Sequence, residues 1–384
     1  MSTPAPLDRG ELAAWLRLLE TPGIGRISAR RLIARFGSPE EVFQARPAAW
    51  QAVLDAAKVQ SLQQAPAHLA PLTASVWQWL EEHPQRAVVA LGDPRYPAAL
   101  LALPDPPLLL YAEGRLDLLA APALAVVGSR NPSAQGTENA RAFARDLSNA
   151  GLTVVSGLAL GIDGAAHAGA LEGPAGTVAV VGTGLDATYP TRHKALARRI
   201  AEEGLLLSEF TLGTPPKAEH FPQRNRIIAA LGLGTLVVEA ALQSGSLITA
   251  RLALDCGREV YAIPGSIHAA QSRGCHALIK QGAKLVESTQ DILDELPLSL
   301  GTAPQAAEAF VGMPIAESVA ASEAHAESTD PILQALGHGP ASFDTLQLRT
   351  GWGADQLNVR LLDLELAGQV ERLPGQIFQR LVRA

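Results

Sequence analysis

An arginine stands in the turn after the first of several apolar, strand-like segments. That segment ends in the sequence VGSRNP, from Val127 to Pro132, and a helical stretch follows. Such a turn is where an α/β sheet holds phosphate groups on backbone amides and on a helix N-terminus. Arg130 would fill the space of a bound dinucleotide, while its forked guanidinium suits an exposed phosphate. We expect Arg130 to contact a phosphate, the alternative being a tight turn with an exposed arginine.

A second glycine-rich junction, VSGLALGIDG, covers residues 155–164. Its glycines would let a ligand approach the backbone closely, as at Gly157, and Ser156 can donate a hydrogen bond to a phosphate. Asp163 stands where a helix N-cap is expected, which favours a structural role. His167 follows one turn later among alanines, and we expect it to be packed rather than catalytic.

A third region, residues 215–228, reads PPKAEHFPQRNRII and interleaves basic residues with an aromatic one. This combination grips a nucleic-acid strand by its phosphates and stacks a base. Phe221 precedes Pro222, which predicts an extended backbone there; the alternative is that Phe221 fills the core. Arg224 and Arg226 are two residues apart at a helix start and must point in different directions, so we expect Arg224 to face phosphate and the other arginine to pair internally. Upstream, the stretch from Tyr189 to Ile200 holds Arg192, Lys194, Arg198 and Arg199 and no acidic residue.

A fourth junction opens a helix with Ser244, Gly245 and Ser246, which offer hydroxyls and free amides to an anion. The sequence shows no carboxylate pair, and no Ser or Cys beside a His at a recognisable spacing, so it predicts binding without catalysis. Four anion-binding junctions would converge at one edge of a parallel sheet, and this convergence is stronger evidence than any junction alone.

The elements that would position these junctions are short apolar strands alternating with helices between residues 83 and 296. Continuously apolar strands of this kind are typical of a parallel sheet covered on both faces, and they predict a doubly wound α/β domain. The predicted strands are Leu124–Val127, Thr153–Val155, Val178–Val181, Leu205–Leu207, Leu236–Val238, Val260–Ile263 and Lys284–Val286.

Residues 1–82 have the apolar spacing of helices on either side of the turn TPGIG, the outline of a helix-hairpin-helix. The second helix carries four arginines, Arg26, Arg30, Arg31 and Arg35. Turn amides of this motif can contact a phosphate, but a plain helical bundle with a solvated arginine face is the interpretation that we favour.

Residues 297–329 contain no Lys or Arg and predict a flexible acidic linker. Residues 330–384 predict three helices followed by a hairpin, the outline of a winged helix. Residues 331–384 hold five basic and five acidic side chains. Without a cationic face, we expect this domain to serve protein contacts or regulation.

The composition is that of a globular protein of more than one domain: 384 residues, 47% apolar and 18% charged. A formal net charge of −7 means that any polyanion site must be a local basic cluster. The two cysteines, Cys256 and Cys275, lack metal-ligand spacing and indicate a reducing cytoplasm without a zinc site. We find no signal peptide and no apolar run long enough to span a bilayer, and therefore expect a soluble cytoplasmic protein without cofactor or metal.

The successive motifs together resemble the DNA-processing protein A (DprA/Smf) family. They read VVGSRNPSAQG, VVSGLALGIDGAAHAGAL, VAVVGTGLDATYP, LLSEFTLGTPPKAEHFPQRNRIIAAL, LVVEAALQSGSLITARLALDCGREVYAIPGSI and GCHALIKQGA. The resemblance implies an α/β extended Rossmann-like doubly wound core, an N-terminal SAM-like or helix-hairpin-helix domain and a C-terminal winged helix. It also implies a homodimer that binds single-stranded DNA and helps load the recombinase RecA onto strands held by single-strand binding protein, as in natural transformation.

Carried over position by position, the resemblance implies a set of DNA-binding residues: Ser129, Arg130, Ser156, Gly157, Lys217, Phe221, Arg224, Asn225, Ser244, Gly245 and Ser246. One departure is His193, where the family pattern YPxxN has Asn.

The main alternative is an enzyme, a nucleotide-binding protein of the phosphoribohydrolase type with a similar core. Its PGGxGTxxE signature is missing, and the comparable stretch reads EAALQSGSLITA. A nicotinamide-dependent oxidoreductase is less consistent still, because GxGxxG and a ribose-binding acid are absent.

Overall fold

A mixed sheet with helices on both faces forms the centre of the molecule. The computed structural model describes residues 7–296, 330–336, 341–367, 369–373 and 377–380. The segment predicted as an acidic linker, residues 297–329, lies outside the described residues.

Within residues 7–82 the chain forms the predicted helical domain. Asp8 begins the first helix by accepting a hydrogen bond from the amide of Glu11, and Gly25 begins the second helix after the predicted turn. The helices are α1 Arg9–Glu20, α2 Arg26–Phe36, α3 Pro39–Gln44, α4 Pro47–Trp50, α5 Ala56–Gln63 and α6 Leu69–Glu82. The buried side chains of Leu12, Leu16 and Leu32 belong to one cluster with Val88 and Tyr111 of the sheet. The helical domain therefore shares its core with the sheet.

Nine strands form one sheet in the described part of the chain, and they confirm the seven predicted strands within a residue or two. The strands are β1 Arg86–Ala90, β2 Leu109–Gly114, β3 Ala123–Val127, β4 Thr153–Ser156, β5 Thr177–Val180, β6 Leu205–Ser208, β7 Gly234–Val237, β8 Glu259–Ala262 and β9 Lys284–Leu285. Their order is β1-β2-β6-β5-β4-β3-β7-β8-β9. From β6 to β9 all pairs are parallel, whereas β1 and β2 form an antiparallel edge that the sequence analysis did not predict.

Helices cover both faces of this sheet, as the continuously apolar strands required. On β3, Leu124 and Val126 pack in one cluster with Phe143, while Ala125 and Val127 face the opposite cluster. The helices are α7 Ala134–Asn149, α8 Ile162–Ala170, α9 Lys194–Glu203, α10 His220–Leu231, α11 Gly245–Asp255, α12 Arg273–Lys280 and α13 Thr289–Leu293. From β3 the chain proceeds across the sheet through β4 and β5 to β6. From β7 it proceeds in the opposite direction, through β8 to β9. The carboxyl ends of β3 and β7 therefore flank the switch point of the doubly wound sheet.

The C-terminal residues form the predicted winged helix. Its elements are α14 Pro331–Leu336, β10 Ala341–Ser342, α15 Phe343–Thr350, α16 Ala354–Leu366, β11 Val370–Leu373 and β12 Ile377–Arg380. Ser342 caps α15, accepting a hydrogen bond from the amide of Thr345. Residues 374–376, between the two strands of the predicted hairpin, lie outside the described residues. Arg349 of α15 donates to both carboxylate oxygens of Glu138 on α7, at 2.8 and 2.6 Å, and so docks this domain on the core.

Within the described ranges, no helix is both long and apolar enough to cross a membrane.

Candidate nucleic-acid interface

An open cleft of about 390 Å³ lies at the carboxyl edge of the sheet, between the first and third predicted regions. It is lined by Arg130, Tyr189, Pro216, Ala218, Phe221 and Pro222. The guanidinium carbon of Arg130 lies 5.7 Å from the centre of the Phe221 ring. The ring of Tyr189 is 5.5 Å from Phe221 on a tilt of 40°. A cation beside two aromatic rings can hold a phosphate and offer surfaces on which bases stack.

The turn that carries Arg130 is fixed by backbone contacts with the loop after β7 and with the start of α8. The amide of Ser129 donates to the carbonyl of Glu239 at 2.7 Å, and the carbonyl of Ser129 accepts from Ile162 at 3.1 Å. Gly161 has φ +80°, and a side chain there would collide with the carbonyls of Ser129 and Arg130. Ser129 also accepts a hydrogen bond from the amide of Asn131 at 3.1 Å. The backbone of the turn is therefore held, while the Arg130 side chain is exposed.

Arg224 has the opposite orientation from the one predicted. Its residue surface is 4% exposed, and Nη1 donates to the carbonyls of Gly157, at 2.5 Å, and Val180. Its Nε donates to Oδ1 of Asn225 at 3.0 Å. Two carbonyls beside the ends of β4 and β5 need donors, and the guanidinium supplies them. Burial lowers the pKa of Arg224 to about 10.

Ser156 and Gly157 are likewise part of this buried support rather than of the cleft lining. The Ser156 hydroxyl is fully buried and donates to the carbonyl of Val126 at 2.6 Å. A side chain at Gly157 would overlap the Arg224 guanidinium. The glycine permits the approach of this internal arginine, which corrects the prediction that it admits a ligand.

Two buried polar side chains, Asp163 and His167, hold the loop beneath the cleft. The N-cap of α8 is Gly161, not Asp163; the Asp163 carboxylate instead accepts hydrogen bonds from the amides of Gly157 and Ala159 at 3.1 and 3.3 Å. Burial raises the pKa of Asp163. His167 is packed as predicted: Nε2 accepts from the amide of Leu158 at 3.2 Å, and burial lowers its pKa to about 3.

Phe221 lies in the first turn of α10, whereas the sequence predicted an extended segment. Proline is tolerated in a first helical turn, where no intrahelical acceptor is needed, so Pro222 does not break this helix. A side chain at Gly182 would lie 3.2 Å from the Phe221 ring. Phe221 is half-buried, with its ring beside the backbone of Gly182 and in the lining of the cleft. Lys217 is exposed in the segment before the helix.

The serines of the fourth junction cap α11 and lie outside the cleft lining. The Ser244 hydroxyl accepts a hydrogen bond from the amide of Ser246 at 3.3 Å, and their hydroxyl oxygens are 2.6 Å apart. Gly245 is exposed between them. DNA contact by this junction stays a prediction.

The basic stretch from Tyr189 to Ile200, which continues into α9, contains both paired and unpaired cations. Arg198 and Arg199 pair with Glu202 and Glu203 one turn along the helix, at 3.0 and 3.3 Å. Arg192 and Lys194 are exposed and, among the described residues, have no acidic partner within ion-pair distance. His193 is engaged internally, with Nδ1 3.0 Å from the carbonyl oxygen of Leu158.

Two of the four arginines of α2 contact the α/β domain, whereas Arg31 and Arg35 are exposed. Arg26 pairs with Asp105 at 3.0 Å, and Arg30 donates to the carbonyl of Pro104 at 2.9 Å. Arg226 pairs internally as predicted, with Glu209, whose pKa is raised by burial. These charges join the helical domain to the sheet.

Tyr189 is an aromatic residue of the cleft that is not among the predicted DNA-binding residues. Its side chain is 46% exposed beside Phe221. An aromatic residue immediately before a basic stretch was the available signal. No group of three or more His, Cys, Asp or Glu side chains in the described part of the chain could hold a metal ion.

The sequence model described as DNA recombination-mediator protein A matches residues 87–297. The chain belongs to this family. The models of the DprA winged helix domain and of the DprA-like N-terminal HHH domain match residues 316–376 and 9–70.

Individual relatives of this family agree with the assignment. Protein Smf of Escherichia coli is 44% identical over 307 residues, 80% of each chain. DNA processing protein DprA of Streptococcus pneumoniae is 51% identical over 203 residues, covering 53% of this chain and 72% of that one. The X-ray structure of the Streptococcus pneumoniae protein superimposes with a TM-score of 0.64 at 38% identity, covering 77% of this chain and all of that one.

A second solved structure concerns the single-stranded DNA binding mode of DNA processing protein A from Helicobacter pylori. It has a TM-score of 0.51 and 31% identity, and covers 55% of this chain and 95% of that one. The α/β core, the helical N-terminal domain and the winged helix are thus those of the DNA-processing protein A family.

Proposed function

We propose that this protein binds single-stranded DNA in the cleft between Arg130, Tyr189 and Phe221 and leaves it chemically unchanged. The observation that carries the proposal is an exposed cation, Arg130, and a second aromatic ring, Tyr189, each within 6 Å of the Phe221 ring, in a cleft whose lining holds no catalytic pair. Arg192, Lys194 and Lys217 add exposed positive charge nearby in the sequence. The solved Helicobacter pylori relative, whose description concerns single-stranded DNA binding, supports the same ligand.

Any base can stack on such rings, whereas a duplex keeps its base faces paired. We therefore expect tight binding of oligo-dT, weak binding of blunt duplex and little sequence preference. Fluorescence anisotropy at several salt concentrations tests this. Arg130→Ala should flatten the salt dependence by about one unit per lost phosphate contact. Arg198→Ala, which removes an arginine already paired on α9, is the matched control. Equal affinity for duplex and single strand at moderate salt would refute the proposal.

Within the cell, we propose that the protein protects single strands and helps load RecA onto strands held by single-strand binding protein, in DNA recombination and natural transformation. This role places it in the cytoplasm. A RecA strand-exchange assay on DNA coated with single-strand binding protein should be faster in its presence, and Arg130→Ala should remove that stimulation.

We further propose a homodimer. Large apolar side chains are exposed on the β7–β9 side of the sheet: Leu242, Ile248, Leu254 and Ile267. Contiguous exposed apolar patches are typical of protein–protein interfaces, and these four side chains are our candidates for such a patch. Sedimentation should give twice the chain mass, and Leu254→Glu should shift it toward the monomer.

The phosphoribohydrolase alternative makes the opposite prediction for mononucleotides. Release of base or ribose phosphate from AMP would support it, whereas we expect no turnover because the cleft lining contains no general acid and base.

A further inference from the structure

The switch point between β3 and β7 is where doubly wound sheets commonly bind a nucleotide. Phosphate then lies against the N-terminus of the helix after the first strand, which here is α7. In this chain a side chain of the protein itself occupies that place. Glu239, two residues beyond the end of β7, reaches across to the start of α7.

The Glu239 carboxylate makes the contacts that a phosphate would make. Oε2 accepts a hydrogen bond from the amide of Ser133 at 2.9 Å, and Oε1 accepts one from the Ser133 hydroxyl at 2.5 Å. Ser133 in turn caps α7 by accepting from the amide of Gly136 at 2.9 Å. A side chain at Gly136 would overlap the carboxylate, just as a side chain in a Gly-rich dinucleotide turn would block the pyrophosphate. A negative charge is stabilised at a helix N-terminus.

Glu239 also holds the other end of the same turn. Its backbone carbonyl accepts the hydrogen bond from the amide of Ser129. One residue therefore anchors the turn on both sides of Arg130, at Ser129 through its backbone and at Ser133 through its carboxylate. Arg130 itself remains exposed over the Phe221 ring.

We propose that Glu239 is a built-in substitute for the phosphate of a nucleotide at the switch point. Its carboxylate excludes a mononucleotide from the N-terminus of α7. It also positions the turn so that Arg130 faces a DNA strand bound outside this nucleotide position. Glu239 is a positioning residue, because it acts on the strand through Arg130. The second half of this inference rests on the proposed single-stranded DNA binding, whereas the first half does not.

The direction in which DNA affinity changes when Glu239 is replaced distinguishes a positioning role from a purely electrostatic effect of its carboxylate. Removing an acidic residue near a polyanion site strengthens binding if only the electrostatic field matters. We expect Glu239→Ala to weaken oligo-dT binding instead, by roughly threefold to tenfold, and Glu239→Gln to weaken it less. Glu219→Ala is the matched control, since it removes an exposed carboxylate before α10. Glu239 variants that bind as tightly as the control, or tighter, would overturn the positioning role.

A double-mutant cycle supplies a measurement that a merely structural role would not change. If Glu239 acts through Arg130, Glu239→Gln should have little effect on oligo-dT affinity in a protein that already carries Arg130→Ala. Additive effects of the two substitutions would overturn the proposal. Oligo-dT binding by the unsubstituted protein is measured first, because its absence refutes the proposed function and not the role of Glu239 at α7.

Thermal unfolding with and without millimolar AMP or inorganic phosphate tests the exclusion directly. The unsubstituted protein should be unaffected, while Glu239→Ala should be stabilised by the anion that enters the freed position. Should AMP and phosphate leave Glu239→Ala and Glu239→Gln unaffected, the assignment of this anion position would be wrong.

Discussion

The Nη1 atom of Arg224 lies 2.5 Å from the carbonyl oxygen of Gly157 and donates to Val180 as well. One guanidinium thus joins the loops after β4 and β5 to α10, the helix that carries Phe221. The contact explains why an arginine in a basic motif is buried: it supplies donors to strand-end carbonyls that would otherwise have none.

We predict that Arg224→Ala mainly affects folding stability. Unsatisfied buried carbonyls cost roughly 1–3 kcal/mol each, so the free energy of unfolding should fall by about 3 kcal/mol in chemical denaturation. Arg224→Lys should restore little of this, because an ammonium group cannot reproduce the planar fork. Arg198→Ala is the surface control and should change stability by less than about 0.5 kcal/mol. A large loss of DNA affinity at unchanged stability would instead make Arg224 a DNA ligand.

Replacing Phe221 and replacing Tyr189 should differ in their effect on stability, because Phe221 is half-buried and Tyr189 is exposed. Each change to Ala should cost about 1–3 kcal/mol of single-strand affinity through lost stacking, with nearly the same salt slope. Phe221→Ala should also lower the melting temperature, because its ring packs beside Gly182, while Tyr189→Ala should not. Tyr189→Phe keeps the ring and is the control. If Phe221→Ala lowers the melting temperature but leaves affinity intact, Phe221 is core only.

The sheet was predictable because its parallel strands are short, wholly apolar runs separated by helices. Strands β1 and β2 were not, because no α-helix separates them, only a short 3-10 turn at Ala98–Ala102. Their antiparallel pairing with each other and with β6 depends on residues far apart in sequence, such as Tyr111 and Ser208.

The candidate site was predictable at Arg130, where the strand–turn–helix pattern determines where the residue lies. The orientation of Arg224 was not, because helical spacing shows only that Arg224 and Arg226 point in different directions. Which one turns inward depends on carbonyls of Gly157 and Val180, elsewhere in the chain. Tyr189 lies in a loop, where it contacts Phe221. A loop has no apolar periodicity from which the direction of a side chain could be predicted.

His167 should make stability depend on pH. Its pKa is about 3 in the folded protein because of burial, against an ordinary value of 6.5. Between these values the unfolded chain binds a proton that the native protein does not. Its contribution to stability is therefore complete above pH 6.5 and is lost progressively as the pH falls toward 3.

Lowering the pH from 6.5 to 5 should cost roughly 2 kcal/mol through this one residue. The measurement is the free energy of unfolding against pH for the protein and for His167→Gln, which cannot titrate. The pKa of Asp163 is raised, so its titration changes the free energy of unfolding with pH in the opposite direction. This contribution is the same in both proteins and cancels when their profiles are subtracted. Identical pH profiles for the two proteins would show that the pKa of His167 is the same in the native and unfolded states and would overturn the prediction.

The winged helix should contribute little to single-strand affinity. On α16, Arg360 already pairs with Asp330 at 2.6 Å, and the helix also carries acidic Asp363 and Glu365. With five basic and five acidic residues in 331–384, the domain has no net positive charge to attract DNA. It contacts α7 of the core through the nearly buried Arg349, which pairs with Glu138 and donates to Gln135.

A chain ending at residue 296 should therefore keep most of the oligo-dT affinity of the full protein at equal salt. Arg349→Ala in the full chain is the matched control, because it weakens the docking on α7 without deleting the domain, and its affinity should also be unchanged. Circular dichroism and sedimentation establish that the shortened chain is folded and has the same oligomeric state. A loss of tenfold or more, worth about 1.4 kcal/mol, in a shortened chain that passes both checks would show that the winged helix binds DNA directly.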